Sequence, residues 1–547
     1  MEHYFNRLEQ AIKSNWNRPA LCNYNGELFT YGDLATNVAK FHLFFKGIGI
    51  GKGDKIALCA KNSARWGVSF ISISTYEAVV VPILNDFTPD SIASLVNHSE
   101  STVLFTDTEI WNKIDRAYVP NIRCVINCSD YTLLYSENDD IKSTFESLQT
   151  TFNATYPMGY TVQNVRYPKD NLNDLAVINY TSGTTSAPKG VMITYGNISA
   201  TTIYGADNMP CDWHDKIVSM LPMGHIYGLV FEFLYTLCSG VQIYYLGKTP
   251  SPSLLLKALK DVKPFMVVTV PLVMEKIFKS SVKPVVSKWY MKILLHTPGI
   301  SNIIFRKIRK KILASFGGNI RMIILGGAAL NPEVEKYFKR IKLPYTVGYG
   351  MTEASPLLAY SYWTEYKPGS CGKPIDACEV RIDSEDPHHI AGEILAKGDN
   401  ICTGYFNNPE ASANLFTEDG FIHTGDLGVI DKDGTIYIKG RSKSMILSSS
   451  GQNIYPEEVE AVINANDYVA ESIVVDRNSK LVALIYLDKD AMKRDKLDEE
   501  TISDIPEKVR INSNRQLPNY SQITKIEIVL APFEKTPKMS IKRFLYK

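Results

Sequence analysis

The 547-residue sequence predicts an α/β protein built on parallel sheets that are covered by helices. Strand-like runs alternate with helical patterns through most of the chain, which is the order that parallel sheets with crossover helices require. Several of these runs end directly in Gly, Ser or Thr clusters, where open α/β sheets usually place ligands. The predicted strands of this part include 55–60, 103–106, 176–180, 265–270 and 321–325.

The C-terminal part of the sequence changes character twice. From about residue 392 the strand-like runs are shorter and are separated by glycine turns, such as Asp431 to Gly434, which predicts a small β-rich unit. After Arg441 comes a final module of about a hundred residues, with predicted strands of its own and a charged helix between them. Those strands cover 472–475, 481–487 and 526–530.

The composition is that of an ordinary globular protein, since 45% of the residues are hydrophobic and 21% are charged. These values exclude a disordered chain, a collagen-like repeat and a small disulfide-stapled scaffold. Lys and Arg number 59 and Asp and Glu number 58, so no net field favours nucleic acid. The nine cysteines are scattered and form no CxxC motif, which predicts packing side chains in a reducing compartment.

Neither the first residues nor the most apolar stretch has the pattern of an export or membrane segment. Residues 1–20 are polar and interrupted by charge, unlike a signal peptide. The stretch 66–84 contains four Ser and Thr side chains and Glu77, whereas a bilayer span needs about 20 mostly apolar residues. We therefore expect a buried helix and strand there, and a cytoplasmic protein.

The most specific motif runs from Tyr180 to Gly190 and has the sequence YTSGTTSAPKG, directly after a predicted strand. Its glycine and small hydroxyl residues let backbone N–H groups converge on phosphate oxygens, and the hydroxyls donate further hydrogen bonds. Lys189 adds a mobile positive charge for a polyphosphate. The spacing GxxxxGK[ST] is absent, so this is not a Walker loop.

Six further motifs occur in chain order, at 29–34 (FTYGDL), 49–54 (GIGKGD), 221–226 (LPMGHI), 348–353 (GYGMTE), 423–426 (HTGD) and 440–443 (GRSK). Together with the phosphate loop they resemble the adenylate-forming, or AMP-binding, enzymes, a family that includes acyl-CoA synthetases, luciferases and peptide-synthetase adenylation domains. The matches extend from about residue 29 to residue 543, nearly the whole chain. The sequences at 452–458 (QNIYPEE) and at 542–544 (KRF) are most similar to those of bacterial long-chain fatty acyl-CoA synthetases.

The resemblance implies a fold and a set of co-substrates. The expected N-terminal domain covers 1–440 and consists of two doubly wound α/β lobes plus a small β-rich subdomain. A mobile α+β C-terminal domain is expected over 441–547. The expected activity is that of a ligase that uses ATP, Mg²⁺ and coenzyme A.

The resemblance also implies roles for individual residues. Asp426 resembles the acid that accepts hydrogen bonds from the ribose, and Arg441 resembles the ribose and phosphate contact. Glu353 and Thr184 resemble the magnesium site, and His225 resembles the residue that positions the substrate carboxylate. Attack of a carboxylate on the α-phosphorus brings two anions together, so cations and aligned donors lower the barrier. The nucleotide-binding set comprises Thr181, Ser182, Gly183, Thr184, Thr185, Lys189, Gly327, Ala328, Tyr349, Gly350, Met351, Thr352, Asp426 and Arg441.

Two positions are implicated in the second half-reaction. Lys443 resembles the pivot about which the C-terminal domain of the family rotates after adenylation. Gly451 lies in the segment that would then line a pantetheine channel, where the absent side chain leaves room for a thin chain. Gly451 is also expected to be an ordinary hairpin-turn glycine, since the two roles are compatible.

The sequence departs from the family pattern at two places. Ser186 stands where the phosphate loop usually has glycine, which serine tolerates only at negative φ. Ser540 stands where the family has the lysine that reaches the α-phosphate, and serine supplies no cation. Lys538 and Lys542 would share a strand face with position 540, so either is a candidate replacement.

A basic segment allows two interpretations. No acidic residue occurs between Lys276 and Pro332, while lysines and arginines accumulate over 279–311 among aromatic and aliphatic residues. The segment is either an amphipathic surface that contacts anionic lipid at the inner face of the membrane, or a solvated helix pair with its apolar face in the core.

Three functions remain open from the sequence. The leading hypothesis is a fatty acid–CoA ligase that forms acyl-AMP and pyrophosphate, then acyl-CoA and AMP. The second transfers the acyl group to the phosphopantetheine of an acyl carrier protein instead of to CoA. The third, motivated by Ser540, is an acyl-nucleotide-binding protein with little catalysis. An amino-acid activator is disfavoured, because 229–237 is aromatic and aliphatic apart from Glu232.

Overall fold

The computed structural model describes residues 1–181, 189–247, 252–286, 288–297, 300–447, 453–477, 480–535 and 541–546. It contains a large N-terminal domain with two seven-stranded sheets and a four-stranded sheet, followed by a separate C-terminal domain with its own three-stranded sheet. The two α/β lobes, the β-rich subdomain and the separate C-terminal domain expected from the sequence are confirmed.

The first sheet holds the strands nearest the N-terminus and the hairpin around the phosphate loop. Its five inner strands are parallel, and the strand at each edge is antiparallel to its neighbour. In spatial order the strands are Leu133–Ser136, Cys124–Asn127, Val103–Thr106, Lys55–Cys59, Val79–Pro82, Leu175–Thr181 and Lys189–Thr194.

The second sheet is parallel except for its last strand. Its parallel strands have their carboxyl ends at one edge, which is where loops with chemical side chains gather in such sheets. In spatial order the strands are Tyr345–Val347, Met322–Leu325, Met266–Thr269, Lys216–Ser219, Gln242–Tyr245, Pro19–Asn23 and Leu28–Thr30.

Helices cover both sheets, and several begin at a side-chain cap that the sequence provides. Thr30 and Asp33 form a capping box, and so do Thr194 and Asn197. The longer helices of this domain are Tyr4–Ser14, Tyr31–Gly47, Ala64–Thr75, Pro89–His98, Asp139–Glu146, Leu148–Thr155, Tyr195–Asn208, Pro252–Val262, Pro271–Ile277, Trp289–His296, Ile300–Ser315 and Pro332–Arg340. Shorter helical segments are Thr108–Trp111, Ile226–Gly228, Leu229–Leu234, Tyr235–Cys238, Phe278–Val282, Lys283–Val286 and Pro409–Ala413.

The core between the two large sheets is aromatic and continuous. Phe70 of the first lobe packs edge-on against Phe233 of the second, with ring centroids 5.8 Å apart, and Trp66 stacks on Phe70. The stretch 66–84 therefore forms a buried helix and strand, as its hydroxyl residues predicted. In the part of the chain that the structure describes, no helix combines the length and the apolar composition of a membrane span.

The β-rich subdomain begins earlier than the sequence suggested. Its four antiparallel strands are Cys378–Asp383, Gly392–Gly398, Ile422–Ile430 and Ile436–Arg441. The first of them precedes residue 392 and was missed, because an edge strand with exposed charged residues has a weak apolar signal.

The C-terminal domain packs helices on a small sheet. Its strands are Ile446–Leu447, Asn453–Ile454, Val469–Asp476, Leu481–Leu487 and Lys525–Val529, which include the three predicted ones. Its helices are Pro456–Asn464, Lys489–Arg494, Glu499–Ser503 and Ile505–Asn514.

The cysteines pack as the sequence predicted. None forms a disulfide, and all are buried except the half-buried Cys211. Burial raises the pKa of the Cys124 and Cys371 thiols to about 12, which keeps them protonated and unreactive.

Candidate active site

A cavity of about 1920 Å³ lies at the carboxyl edge of the second sheet. The segments that follow Lys216–Ser219, Met266–Thr269, Met322–Leu325 and Tyr345–Val347 all contribute to its wall. Residues of the β-rich subdomain and of the hairpin at Lys189 close the other side. The parallel arrangement of these strands thus brings motifs together that are far apart in the sequence.

Most of the described residues that the sequence singled out meet in this wall. Asp426 lies immediately behind it, in contact with Tyr349, whereas Ala328 is exposed and stands outside the lining. The predicted residues in the wall are Thr181, Lys189, His225, Gly327, Tyr349, Gly350, Met351, Thr352, Glu353, Arg441 and Lys443. The predicted residues Ser182, Gly183, Thr184, Thr185, Gly451 and Lys538 lie outside the described residues.

At one end of the cavity, a lysine and a carboxylate both contact the same tyrosine, Tyr405. Thr181 and Lys189 are paired across two antiparallel strands, at the base of the phosphate loop. The Lys189 Nζ lies 4.9 Å from the centroid of the Tyr405 ring, and the Tyr405 hydroxyl donates to Glu353 Oε1 at 2.8 Å. Glu353 is only 9% exposed. The Lys189 ammonium and the oriented Glu353 carboxylate therefore line the same part of the cavity. The ammonium suits a phosphate, and the carboxylate suits a cation that is bound to that phosphate.

Glu353 is also suited to bind Mg²⁺. Within the described ranges, no group of three or more His, Cys, Asp or Glu side chains is placed to hold a metal ion. Magnesium usually keeps several waters and takes one or two carboxylates together with substrate phosphates. A single oriented carboxylate at the phosphate end of the cavity is compatible with that mode of binding.

Asp426 is held between a tyrosine and an arginine. Its Oδ2 accepts the Tyr349 hydroxyl at 2.8 Å, and its Oδ1 lies 2.8 Å from Arg441 Nε. Strand pairing sets Asp426 opposite Arg441. Burial raises the pKa of Asp426, while the Arg441 charge and the Tyr349 hydrogen bond act in the opposite direction. A carboxylate has about four acceptor sites, so one in this position has capacity left for the two hydroxyls of a ribose.

The loop that carries His225 is anchored by two asparagines. The Asn62 side chain donates to the Leu221 carbonyl at 2.7 Å and accepts from Met223 N at 3.0 Å. Asn179 donates to the Gly224 carbonyl at 3.0 Å. His225 Nδ1 accepts the Tyr227 backbone N–H at 3.2 Å, so the proton of a neutral ring lies on Nε2.

A buried glutamate holds the same loop from behind. Glu232 is fully buried and accepts hydrogen bonds from Met220 N, Leu221 N and the Ser219 hydroxyl, at 2.9 to 3.1 Å. Burial raises the pKa of Glu232 to about 8, against the lowering effect of these hydrogen bonds. Sequence reasoning missed Glu232, Asn62 and Tyr405 as site residues. The one signal for Glu232 was an acid in an otherwise apolar run.

Gly326 permits a close approach of two chain segments in the wall. A Cβ added at Gly326 would lie 2.9 Å from the Tyr227 ring. Gly326 therefore allows the end of strand Met322–Leu325 and the segment that carries Tyr227 to meet without a gap.

The other part of the cavity is an apolar wing. Helix Pro252–Val262 contributes leucines, helix Pro271–Ile277 contributes further aliphatic residues, and Phe231 also lines the cavity. The cavity exceeds the roughly 300–1,000 Å³ of an ordinary small-ligand site. It is therefore large enough for a nucleotide and an additional apolar group. The wing is lined by Leu255, Leu256, Leu259, Val267, Val273, Met274, Ile277 and Phe316.

At the domain boundary, Lys443 and Lys542 are placed differently. Lys443 lies in the short helical turn Ser442–Ser444, directly after the last strand of the β-rich subdomain, and lines the cavity. Lys542 Nζ pairs with Glu534 Oε2 at 3.4 Å within the C-terminal domain and is not part of the cavity wall.

The start of the basic segment is a domain contact. Lys279 Nζ donates to the backbone carbonyls of Val469 at 3.1 Å and Asn464 at 3.5 Å, and Lys283 Nζ lies 2.7 Å from Asp467 Oδ1. Burial lowers the pKa of Lys279. Of the two interpretations of 279–311, a lipid-facing surface does not extend over Lys279 and Lys283, because both contact the C-terminal domain.

Comparison with known proteins gives a consistent result along the whole chain. Residues 8–406 match the family described as AMP-binding enzyme, and residues 443–546 match the AMP-binding enzyme C-terminal domain. The chain is 28% identical over 496 residues to a long-chain-fatty-acid–CoA ligase of Bacillus subtilis, covering 86% of this chain and 83% of that protein. It is also 28% identical over 495 residues to the peroxisomal long chain acyl-CoA synthetase 6 of Arabidopsis thaliana, covering 85% and 69%.

Solved structures share the fold at lower identity. ATP-bound MatB from Rhodopseudomonas palustris superposes with a TM-score of 0.77 at 21% identity, covering 100% of this chain and 98% of that one. The o-succinylbenzoate CoA synthetase MenE of Bacillus subtilis, in complex with ATP and magnesium, gives a TM-score of 0.73 at 21% identity, covering 100% and 99%. At these identities the likeness shows the fold alone.

Proposed function

Since this chain belongs to the AMP-binding enzyme family, we propose that it is an ATP-dependent fatty acid–CoA ligase. In the first half-reaction, a carboxylate oxygen of the acid attacks the α-phosphorus of ATP, and pyrophosphate leaves. In the second, the thiolate of CoA attacks the acyl carbonyl and AMP leaves, which yields the acyl-CoA. The sites named below are proposals of the same kind.

One observation carries the proposal: a polar end and an apolar wing belong to the same cavity. Lys189, Glu353 and Arg441 line the polar end, and leucines of helix Pro252–Val262 line the wing. A fatty acid has its anionic head next to a long apolar tail, so it matches this division. The similarity to long-chain fatty acid–CoA ligases supports the same choice of substrate.

The polar end is assigned to ATP. Lys189 would neutralise phosphate charge, and Asp426 would accept hydrogen bonds from the ribose hydroxyls, with Arg441 beside them. Glu353 would hold Mg²⁺, and the loop residues Ser182 to Thr185 would add the phosphate contacts that the family resemblance implies. Bound Mg²⁺ would supply charge neutralisation on the phosphate oxygens. Lys189 and Glu353 would orient the phosphates for attack by the acid.

His225 is assigned to the acid. Its Nδ1 accepts a backbone N–H, so a proton on Nε2 can be donated to a carboxylate oxygen. Asn62, Asn179 and Glu232 fix the loop, and a donor held in place contributes more than a mobile one. His225 would therefore orient the attacking oxygen toward the α-phosphorus.

The second half-reaction is assigned to the domain boundary. Rotation about Lys443 would move the C-terminal domain after adenylation and bring Gly451 to a channel for pantetheine. CoA is the proposed thiol, with the phosphopantetheine of an acyl carrier protein as the alternative acceptor. Lys538 and Lys542 remain candidates for the cation that Ser540 lacks. Lys542 would have to leave Glu534 on rotation to reach the site.

The experiment is pyrophosphate release with ATP, magnesium and fatty acids of increasing length, with and without CoA. We expect release with a preferred chain length, acceleration by CoA and a thioester product. Release that CoA does not accelerate, but a loaded carrier protein accelerates, would favour the carrier-protein ligase. Nucleotide binding without release for any acid would favour the weakly catalytic alternative and refute the ligase.

A further inference from the structure

The cavity continues past the carboxyl edge of the second sheet onto both faces of that sheet. Successive side chains of a strand point to opposite faces, and paired residues of two parallel strands point to the same face. Strands Met266–Thr269 and Met322–Leu325 are parallel, and Val268 is paired with Ile324. Val267 and Ile324 therefore lie on opposite faces, although both line the cavity.

The apolar wing occupies one of these faces, and a second apolar arm occupies the other. Val267 packs in one buried cluster with Leu259 and Phe316 of the wing. Gly326 follows Ile324 at the next position on the opposite face, where an added Cβ would lie 2.9 Å from the Tyr227 ring. We call this second space the aromatic arm, which is lined by Met209, Tyr227, Phe231, Ile324 and Tyr360.

The aromatic arm is short and closed. Tyr360 donates a hydrogen bond to Met322 Sδ at 3.1 Å, and Met322 lies two residues before Ile324 on the same strand face. Two residues of a strand span about 7 Å, which sets the distance from the carboxyl edge to this floor. The wing extends further, because it reaches Leu256, which is 39% exposed. The two arms therefore differ in length.

Both arms suit alkyl groups better than a polar chain. Among the described residues, the lining of the wing is apolar throughout, and the Tyr227 hydroxyl of the aromatic arm is enclosed against Gly326. A pantetheine chain carries two amides and a hydroxyl, which these walls would leave without partners at a cost in affinity. Two alkyl chains carry no such groups, so the arms match two alkyl chains of one acid.

We propose that the preferred substrates are fatty acids branched at carbon 2, with one long and one short alkyl chain. This inference rests on the proposed function, in which His225 holds the carboxylate. Carbon 2 is tetrahedral, so its two chains diverge, the longer into the wing and the shorter into the aromatic arm. A straight acid leaves the aromatic arm without an apolar group, and each additional buried methylene is worth about fourfold in affinity.

Exchange of labelled pyrophosphate into ATP tests the proposal on the first half-reaction alone. A branch at carbon 2 does not crowd the carboxylate oxygen that attacks phosphorus, whereas it crowds the carbonyl that a thiol attacks later. The acids are decanoic acid and its derivatives with methyl, ethyl, butyl or octyl at carbon 2. We expect kcat/KM to rise about tenfold to an intermediate branch and to fall again for octyl. A steady decrease through the series would overturn the proposal.

The unequal arms also predict a preference between mirror images. With the carboxylate held in place, one enantiomer of 2-butyldecanoic acid places octyl in the wing and butyl in the aromatic arm. The other enantiomer would have to place octyl in the short arm. We expect the first to be used about tenfold faster, since several methylenes of the second would stay unburied. Equal use of both enantiomers would contradict two separate arms.

Two variants on neighbouring strands each fill one arm. Ile324→Phe fills the aromatic arm and should lower the preference for butyl-branched over straight decanoic acid about tenfold. Val267→Phe fills the wing and should slow the use of both acids, because both place a chain there. Ile323→Phe is the matched control, since it enlarges a buried residue of the same strand outside the cavity wall, and it should keep the wild-type preference.

A third variant guards against a loss of folding in Ile324→Phe, which its unfolding temperature would reveal. Phe231→Leu enlarges the aromatic arm, so the optimal branch should become longer. An unchanged optimum in Phe231→Leu would overturn the assignment of the arm. So would a larger loss of straight-acid use in Ile324→Phe than in Val267→Phe.

The same assay separates this inference from the proposed function. Exchange with decanoic acid, but slower exchange with every branched acid, would contradict the branched substrate and leave the ligase intact. No exchange with any acid would contradict both. A rise in KM for CoA in Ile324→Phe, with unchanged exchange for all acids, would assign the aromatic arm to pantetheine and overturn the inference.

Discussion

Tyr405 connects the two charged groups at the polar end of the cavity. Its ring lies under the Lys189 ammonium, and its hydroxyl orients Glu353. Tyr405→Phe removes the hydroxyl and keeps the ring. We expect KM for MgATP to rise about fivefold, the factor for one lost hydrogen bond of about 1 kcal/mol. Steady-state kinetics at varied MgATP measure this change in KM.

The control is Tyr437→Phe, since the Tyr437 hydroxyl contacts Asp431 and not Glu353. Equal KM values for both variants would contradict the role of the Tyr405 hydroxyl.

Asp426 is expected to affect nucleotide use selectively. Asp426→Asn keeps the shape of the side chain but replaces an acceptor oxygen with a donor amide and removes the charge that faces Arg441. We expect KM for ATP to rise at least tenfold, with a smaller change in KM for the acid. The exposed Asp419, which pairs with Arg381, offers Asp419→Asn as a control. Wild-type ATP kinetics in Asp426→Asn would remove this residue from the ribose site.

Glu232 should make stability depend on pH. Its folded-state pKa is raised to about 8 by burial, so between about pH 5 and pH 8 the folded chain keeps a proton that the unfolded chain has lost. The carboxyl therefore reduces the free energy of unfolding as pH rises, by about 1.4 kcal/mol per unit at most. Glu232→Gln does not titrate, so the variant should gain stability relative to the wild type across this window.

Denaturant unfolding at both ends of that pH window measures the effect. The exposed Glu146→Gln is the matched control and should show no such gain. A constant difference between Glu232→Gln and the wild type at all pH values would contradict the buried titration. An accompanying rise in KM for the acid, with KM for ATP unchanged, would separate loop positioning from general destabilisation.

Among the secondary-structure elements, the helical segments Phe278–Val282 and Lys283–Val286 contact the C-terminal domain through Lys279 and Lys283. Lys279→Met keeps the apolar stem but leaves the carbonyls of Asn464 and Val469 without this donor. Hydrogen bonds to charged groups contribute about 1.5–3 kcal/mol, so proteolysis at the boundary near Lys443 should become about tenfold faster. Lys508→Met, in an exposed pair with Asp504, is the control. An unchanged cleavage rate in Lys279→Met would exclude the contact as a restraint.

The sequence predicted elements and motifs well where the signal is local. The strands at 103–106 and 481–487 have the predicted bounds, because an apolar run between turn residues is visible in a short window. The family membership was also visible, since its motifs are contiguous. Contacts between residues that are distant in the chain were not visible in the sequence. Tyr405 is 52 residues from Glu353, and Lys279 is 190 residues from Val469, so no pattern in either neighbourhood marks the pair.

For the molecule as a whole, the joint cavity predicts how ligands should combine. By the proposed function, an uncleavable acyl-adenylate analogue would fill the polar end and the apolar wing at once. Its binding would cost the translational and rotational freedom of one molecule instead of two. At equal concentrations it should raise the unfolding temperature more than AMP and the free fatty acid together. At a hundredfold excess over Kd a ligand adds about 2.7 kcal/mol, which is within reach of a thermal shift measurement.

Two results of that measurement would count against the joint cavity. The first is an analogue effect no larger than that of AMP alone, which would mean that the apolar wing does not receive the tail. The second is an effect that does not change with the length of the acyl chain. The control is an analogue with an acetyl group, which has a polar head and almost no tail.

The strand Ile436–Arg441 has a mechanical consequence. Arg441, at its end, contacts Asp426, and a single residue, Ser442, separates it from Lys443. The strand belongs to the β-rich sheet, and the C-terminal domain follows directly after it in the chain. A nucleotide bound to Arg441, as proposed above, would act two residues from Lys443, the proposed pivot. In the proposed mechanism, release of AMP would therefore change the contacts of the segment that attaches the C-terminal domain.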